Sequence, residues 1–169
     1  MKFLGPLLSA QKNDAVIDQQ IELMRQGKPA FWAVERLSDK KFMGCIGVKS
    51  INFETTFTPA YEIGWRLAAE FWGRGYAPEG AKAALAYAFE TWALPEIYSF
   101  TVPKNINSQS VMTKIGMKRI PEGDFDHPAL LPADPLRRHV LYRIERNDVL
   151  SEGRLNSVSY THLTLPTKA

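Results

Sequence analysis

Apolar residues recur every three or four positions in two long segments of the chain, which predicts two helices. The first helix extends from Ser9, a candidate N-cap, to Gln26, with Gly27 where the helix would end. The second has Pro78 in its first turn and is closed by Pro95. Its apolar positions are Ala81, Ala84, Leu85, Ala88, Phe89 and Trp92.

Shorter apolar segments, several of them alternating with polar residues, predict a sheet. The first two are joined by the polar turn 37–40 and predict an antiparallel hairpin, and Gly64 in the third predicts a bulge. A short helix is expected over 108–115, and a long loop over 121–135. The predicted strands are 31–36, 42–48, 61–67, 97–102 and 139–144. The alternation in the middle of the chain predicts a mixed α/β fold with helices on both faces.

Length and composition narrow the class of protein. A chain of 169 residues that is 45% hydrophobic is sufficient for one core. No apolar segment approaches the ~20 residues that cross a bilayer, and no signal peptide is evident, so we predict a cytoplasmic protein without membrane association. Lysine and arginine are scattered, and the net charge is only +3, so nucleic acid is not an expected partner. Cys45, the single cysteine, predicts neither a disulfide nor a cysteine-rich metal site, and we interpret it as a core residue.

The segment 72–77, Trp-Gly-Arg-Gly-Tyr-Ala, stands between a predicted strand and the second long helix. Its backbone N–H groups could converge on an anion at the helix N-terminus, with Arg74 adding a cation, and a diphosphate would suit such a site. An ordinary glycine-rich turn is the alternative. No Gly-Lys-Ser/Thr follows, and Pro78 replaces the third glycine of the dinucleotide fingerprint, so ATP and NAD are disfavoured.

Two further motifs accompany this turn in a fixed order. The preceding strand reads Glu-Ile-Gly-Trp-Arg-Leu over 62–67, and Asn-Ile-Asn-Ser follows at 105–108. Together they resemble the GNAT superfamily, in particular the branch with ribosomal-protein N-terminal alanine and serine acetyltransferases. Trp72 replaces the Gln or Arg that begins the superfamily's glycine signature. The resemblance covers roughly residues 1–145.

This resemblance implies a GNAT acyl-CoA N-acyltransferase fold that lacks its first strand and first helix. It also implies acetyl-CoA as cosubstrate, no metal, and direct attack by an amine without an acyl-enzyme. The pantetheine arm would pair with the backbone of the strand segment 63–67. The residues that the resemblance assigns to the coenzyme are Ile63, Trp65, Leu67, Gly73, Arg74, Gly75, Tyr76, Ala77, Asn105 and Ser108.

The attacking amine must lose a proton, and Glu62 on the central strand is our candidate base. Its alternative is a surface glutamate paired with an arginine. Asp126 and His127 are further candidates, although turn chemistry also explains them. Ser108 is the candidate acid for the leaving thiolate, with helix N-capping as its alternative, and Asn105 could be a turn residue.

The acceptor is expected to be a primary amine, on a protein N-terminus or a small molecule. A catalytically inactive coenzyme A-binding domain and a polyamine, drug or amino-acid acetyltransferase are rival hypotheses, and a monomer or a homodimer would fit equally. The predicted domain spans 1–146 and is followed by a tail, 147–169. Within it, 157–169 resembles the translation of a sequencing adapter and is predicted to be an artefact. Met1 is expected to be internal to a longer gene.

Overall fold

The computed structural model describes residues 9–151, which form four helices and seven strands. The helices are α1 (Ala10–Arg25), α2 (Tyr76–Thr91), α3 (Ile106–Lys114) and α4 (Arg146–Ser151). The strands are β1 (Phe31–Glu35), β2 (Phe42–Ser50), β3 (Tyr61–Leu67), β4 (Glu96–Thr101), β5 (Lys118–Arg119), β6 (Phe125–Asp126) and β7 (Arg138–Glu145). No helix within 9–151 is long and apolar enough to cross a membrane.

The strands form one mixed sheet in the order β1-β2-β3-β4-β7-β5, and β6 also pairs with β7. All neighbours are antiparallel except β3 and β4 at the centre, which are parallel. The predicted mixed α/β architecture is therefore confirmed.

The two central strands diverge. Over the described residues, β2 and β3 share seven register pairs, whereas β3 and β4 share one, between Glu62 and Tyr98. Just beyond that pair, the buried hydroxyl of Ser99 donates a 3.0 Å hydrogen bond to the carbonyl of Ile63. The divergence leaves a gap between the remainder of β3 and β4.

The sheet has two distinct faces because side chains alternate along each strand. The face with Ile46 and Ile63 is covered by α2, whose Tyr87 ring lies edge-on 5.4 Å from the Trp32 ring. We call it the back face, and the opposite face, which carries Glu62, the front face. The largest fully buried side chains are Phe89, Ile46, Ile63, Ile97, Met112, Leu141, Ile144 and Val48.

Several local predictions can be compared with the fold. Ser9 caps α1, its hydroxyl accepting a hydrogen bond from the Lys12 N–H, as predicted. The bulge predicted at Gly64 is wrong, because the β2–β3 register continues through it. The register shift lies instead between Val34 and Glu35 in β1.

The second half of the chain contains short elements beyond those predicted. The segment expected as a loop, 121–135, includes a 3-10 turn, Pro121–Gly123, and strand β6. Helix α4 packs its Val149 into the core. The tail segment 157–169 lies outside the described residues.

Candidate active site

One edge of β3 faces the gap between the central strands. The β2–β3 ladder is bracketed by the Ile51 N–H bond to the Ala60 carbonyl and the Ala68 N–H bond to the Met43 carbonyl. Hydrogen-bonded and non-bonded pairs alternate in an antiparallel ladder, so every second residue of β3 directs its N–H and C=O away from β2. These residues are Tyr61, Ile63, Trp65 and Leu67, of which Tyr61 and Ile63 flank the register pair with β4. The backbone of Trp65 and Leu67 is thus presented to the gap, as a pantetheine arm would require.

The glycine turn 72–77 leads from this strand into α2. Gly73 and Gly75 have φ angles of +72° and +86°, a region that side chains disfavour. An added Cβ at either glycine would meet no heavy atom within 4 Å. Gly75 occupies the N-cap position without a side-chain cap, and Tyr76 and Ala77 begin the helix. The N–H groups of Tyr76 and Ala77, in the first turn of α2, therefore have no side-chain cap, and the exposed Arg74 precedes them in the chain.

Trp72 connects the turn to the strand. Its indole N–H donates a 2.8 Å hydrogen bond to the Leu67 carbonyl, although the side chain is 54% exposed. This bond satisfies the last carbonyl of the β3 edge and leaves the Leu67 N–H directed into the gap. Sequence reasoning noted Trp72 only as a departure from the family signature and missed this role.

Asn105 and Ser108 lie at the start of α3, at the end of β4. The cap of α3 is Asn105, whose side-chain oxygen accepts from the Ser108 N–H at 3.3 Å, so the alternative in which Ser108 caps the helix is wrong. The Asn105 amide also donates to the Thr101 hydroxyl at 3.0 Å. The capping role explains why α3 begins at Ile106, two residues before the predicted start.

Glu62 lies at the point where β3 and β4 part, on the front face. Its side chain is only 13% exposed and forms a 3.0 Å ion pair with Lys49 of β2. Burial raises the pKa of Glu62 above the ordinary value of 4.5, and the Lys49 ammonium partly offsets this effect. The alternative of an exposed glutamate paired with an arginine does not describe this position.

Six half-buried rings lie on the front face beside Glu62, and we call them the front aromatic cluster. They are Phe53, Phe57, Phe100, Phe125, His127 and His139. Phe57 stacks on Tyr98, the register partner of Glu62, at 5.0 Å. The cluster therefore extends from the strand divergence to the loop that contains His127.

The surroundings of the two histidines of this cluster favour the neutral imidazole. Burial lowers the pKa of His127, and the charges of His139 and Lys49 lower it further. Burial also lowers the pKa of His139. Asp126, the other loop candidate, is exposed and pairs with Arg137 and Arg138 at 3.3 and 3.4 Å.

The sequence of residues 1–118 matches the family described as the acetyltransferase (GNAT) domain. This chain belongs to the GNAT acetyltransferase family. The predicted membership is confirmed, and the divergent strands and glycine turn are parts of a GNAT domain.

Two curated relatives match the GNAT domain over part of its length. The FsC-acetyl coenzyme A-N(2)-transacetylase of Aspergillus fumigatus is 36% identical over 93 residues, 55% of this chain and 39% of the relative. The uncharacterised N-acetyltransferase YnaD of Bacillus subtilis is 46% identical over 65 residues, 38% of this chain and 37% of the relative. The matched part of this chain thus spans less than two fifths of either relative.

Solved GNAT structures share the fold. An acetyltransferase from Agrobacterium tumefaciens is 25% identical with a TM-score of 0.63, over 85% of this chain and 77% of that one. The ribosomal-protein-S5-alanine acetyltransferase of Vibrio fischeri has a TM-score of 0.68 at 19% identity, over 85% and 79% of the two chains. The spermidine N-acetyltransferase of Vibrio cholerae, in complex with CoA and spermine, has a TM-score of 0.67 at 18% identity, over 88% and 82%.

Cys45 lacks the surroundings that activate a nucleophilic cysteine. It lies on the front face of β2, opposite Arg66, and burial raises the pKa of its thiol. A raised pKa disfavours the thiolate that a nucleophilic cysteine needs. The raised pKa agrees with the prediction that Cys45 is not a nucleophile, but the prediction of a core residue is wrong because Cys45 is only half-buried and lies outside the hydrophobic core.

Proposed function

We propose that this GNAT domain transfers an acetyl group from acetyl-CoA to a primary amine by direct attack within a ternary complex. The observation that carries the proposal is the continuity between the open β3 edge and the glycine turn at the N-terminus of α2. An extended amide-containing arm and a diphosphate are the two parts of coenzyme A that such a surface would bind.

The β3 edge supports binding of the pantetheine arm by strand addition. Ile63, Trp65 and Leu67 alternate in register, so an arm in the gap can exchange hydrogen bonds with the free groups of Trp65 and with the Leu67 N–H. The diphosphate would be held by N–H groups of the turn, from Gly73 to Ala77, and by Arg74. These contacts account for the proposed coenzyme site without any metal.

Glu62 supports the acceptor side of the reaction. It would take the proton of the attacking amine as the new N–C bond forms and the thioester C–S bond breaks. A backbone N–H of the opened β3 edge would polarise the thioester carbonyl. The Ser108 hydroxyl, not used as the cap of α3, would donate a hydrogen bond to the departing thiolate. Asn105, the actual cap, would hold the start of α3 against the coenzyme.

The structural neighbours are named for two different kinds of amine acceptor. By their names, the two GNAT neighbours from Vibrio act on a ribosomal-protein alanine and on spermidine, and their likeness to this chain is one of fold. A protein N-terminus and a small-molecule amine are therefore both compatible with the proposed chemistry.

Calorimetric titration of the full chain with acetyl-CoA tests the proposal. We expect one-to-one binding that is lost in Gly75→Val, because a valine would occupy the open space above the turn. Gly27→Val is the matched control: Gly27 also has a positive φ, +68°, and an added Cβ there would also meet nothing within 4 Å. The backbone penalty of about 1–2 kcal/mol is then similar in both variants.

The comparison separates loss of the site from loss of the fold. Retained binding in Gly27→Val with loss in Gly75→Val would support a coenzyme site at the turn. Unchanged binding in Gly75→Val, or no binding by a folded wild-type chain, would contradict it. Binding without acetylation across a broad amine panel would favour the inactive coenzyme-binding hypothesis.

A further inference from the structure

The front aromatic cluster is a contiguous group of six rings that are all partly open to solvent. Aromatic side chains in the core are almost fully buried, with Phe71 at 3% and Phe89 at 0% exposure. All six rings of the cluster are instead half-buried, and they come from the 51–60 loop, β4, β6 with the residue after it, and β7. A contiguous group of partly exposed rings is uncommon unless something covers it.

The cluster stands where the acceptor must arrive. Phe57 stacks on Tyr98 at 5.0 Å, and Tyr98 is the register partner of Glu62. Phe57 also lies 5.3 Å from the Phe125 ring, which connects it to the rest of the cluster. An amine held at Glu62 would therefore have its carbon substituent over aromatic rings.

Apart from the exposed Glu54, the carboxylates around the cluster are already occupied by cations and offer little to a polycation. Each of four neighbouring carboxylates already has a cationic partner: Glu62 with Lys49, Glu96 with Arg143, Asp124 with Arg119, and Asp126 with two arginines. Glu54, in the 51–60 loop, is exposed. The Lys49 ammonium stands beside Glu62, so a second positive charge on the acceptor would meet a like charge.

We propose that the acceptor is a primary monoamine whose alkyl chain carries an aromatic ring, and that the front aromatic cluster binds this ring while Glu62 receives the amine. The inference rests on the proposed acetyl transfer and adds the substrate class. The reaction is unchanged: the amine nitrogen gains the acetyl group and its proton passes to Glu62, while coenzyme A leaves as the thiolate, which becomes the thiol once Glu62 releases that proton.

Three amines discriminate this class from the alternatives: 2-phenylethylamine, n-butylamine and spermidine. Binding of each is measured by calorimetry with the full chain saturated with CoA, which cannot react, and kcat/KM is measured with acetyl-CoA. We expect 2-phenylethylamine to exceed both other amines by about tenfold or more in each measurement, since ring contacts of about 1.4 kcal/mol correspond to tenfold. Equal or better binding or turnover of spermidine would overturn the inference.

Two variants test whether the cluster is the cause of this substrate preference. Phe57→Leu removes a ring and keeps an apolar side chain, so the fold should persist. It should lower kcat/KM for 2-phenylethylamine about tenfold and change that for n-butylamine less than about twofold. Phe42→Leu is the matched control, because Phe42 is 67% exposed at the other end of β2. An equal effect of Phe57→Leu on both amines would also overturn the inference.

Failure of the inference differs from failure of the proposed function. If acetyl-CoA binds in a Gly75-dependent manner and another amine is preferred, the substrate class is wrong and acetyl transfer stands. If CoA binds and none of the three amines binds or reacts, the substrate class is also wrong. If acetyl-CoA itself does not bind to the folded chain, the proposed function fails and the substrate class fails with it.

Discussion

At the scale of single residues, the chemistry of Glu62 depends on two opposing effects of its surroundings. Burial favours the neutral carboxylic acid, whereas the Lys49 ammonium at 3.0 Å favours the carboxylate. Burial is the larger effect, so the pKa of Glu62 is raised. A base with a raised pKa binds a proton more strongly and is better suited to receive one from an amine.

We predict that Glu62→Gln lowers kcat by about 100-fold to 10,000-fold, the usual contribution of a general base, with little change in acetyl-CoA binding. The wild-type rate should rise as pH increases through a value above 4.5, where Glu62 loses its proton, and the variant should lack this dependence. Steady-state pH profiles measure both effects. Glu96→Gln, another paired front-face carboxylate, is the control. A variant with wild-type kcat and pH profile would exclude Glu62 as the base.

At the scale of elements, the active site depends on how β3 and β4 are joined before they part. The Ser99 hydroxyl is 3% exposed and bonds the Ile63 carbonyl directly after the shared register pair. Its side chain thus satisfies a strand carbonyl where the strands begin to separate. This bond helps to stabilise the divergence that a pantetheine arm would use.

Ser99→Ala should reduce the free energy of unfolding by about 1–3 kcal/mol, because the buried Ile63 carbonyl would lose its partner. Urea denaturation measures the change, and the KM for acetyl-CoA should rise as the gap becomes less well defined. Ser110→Ala, an exposed change in α3, should leave both values nearly unchanged. Equal stability of the two variants would show that the Ser99 bond contributes little.

The elements predicted from the sequence are those with enough residues to show a period. Strand β3 was predicted with its observed bounds, and α1 to within a residue at each end. Strands β5 and β6 have two residues each, which is too few to show an alternating pattern. Helix α4 has six residues, which is too short to show a helical period. The bulge expected at Gly64 failed because a glycine also fits a regular strand where a neighbouring ring, here Phe31, lies close.

The site was only partly predictable because some of its contacts join residues that are far apart in the sequence. The glycine turn and the β3 edge are local in sequence, so their motif could be recognised. The indole bond of Trp72 to Leu67 and the capping of α3 by Asn105 require coordinates. The front aromatic cluster combines residues from 53 to 139, and no local spacing indicates that they meet.

At the scale of the whole molecule, the front aromatic cluster connects separate parts of the chain. Phe53 contacts His127 at 4.6 Å, and His127 contacts His139 of β7 at 5.3 Å. The rings of Phe100 and Phe125 also pack on His139. Protonation of either imidazole would place a charge among these rings, so the stability of the fold should depend on pH through the cluster.

The sign of this dependence follows from the lowered pKa values of His127 and His139. Below the ordinary value of 6.5, the unfolded chain binds protons that the folded chain does not, so the melting temperature should fall as pH decreases from 7.5 to 5.5. Lys49 is a charged group that faces His127 and lowers its pKa. The hydrogen bond between His139 and the Arg137 carbonyl raises the pKa of His139, but burial lowers it by more. The double variant His127→Gln/His139→Gln should lose melting temperature less steeply over the same range, with each single variant intermediate. Parallel curves for the wild type and the double variant would show that the imidazoles are not protected from protonation by the fold.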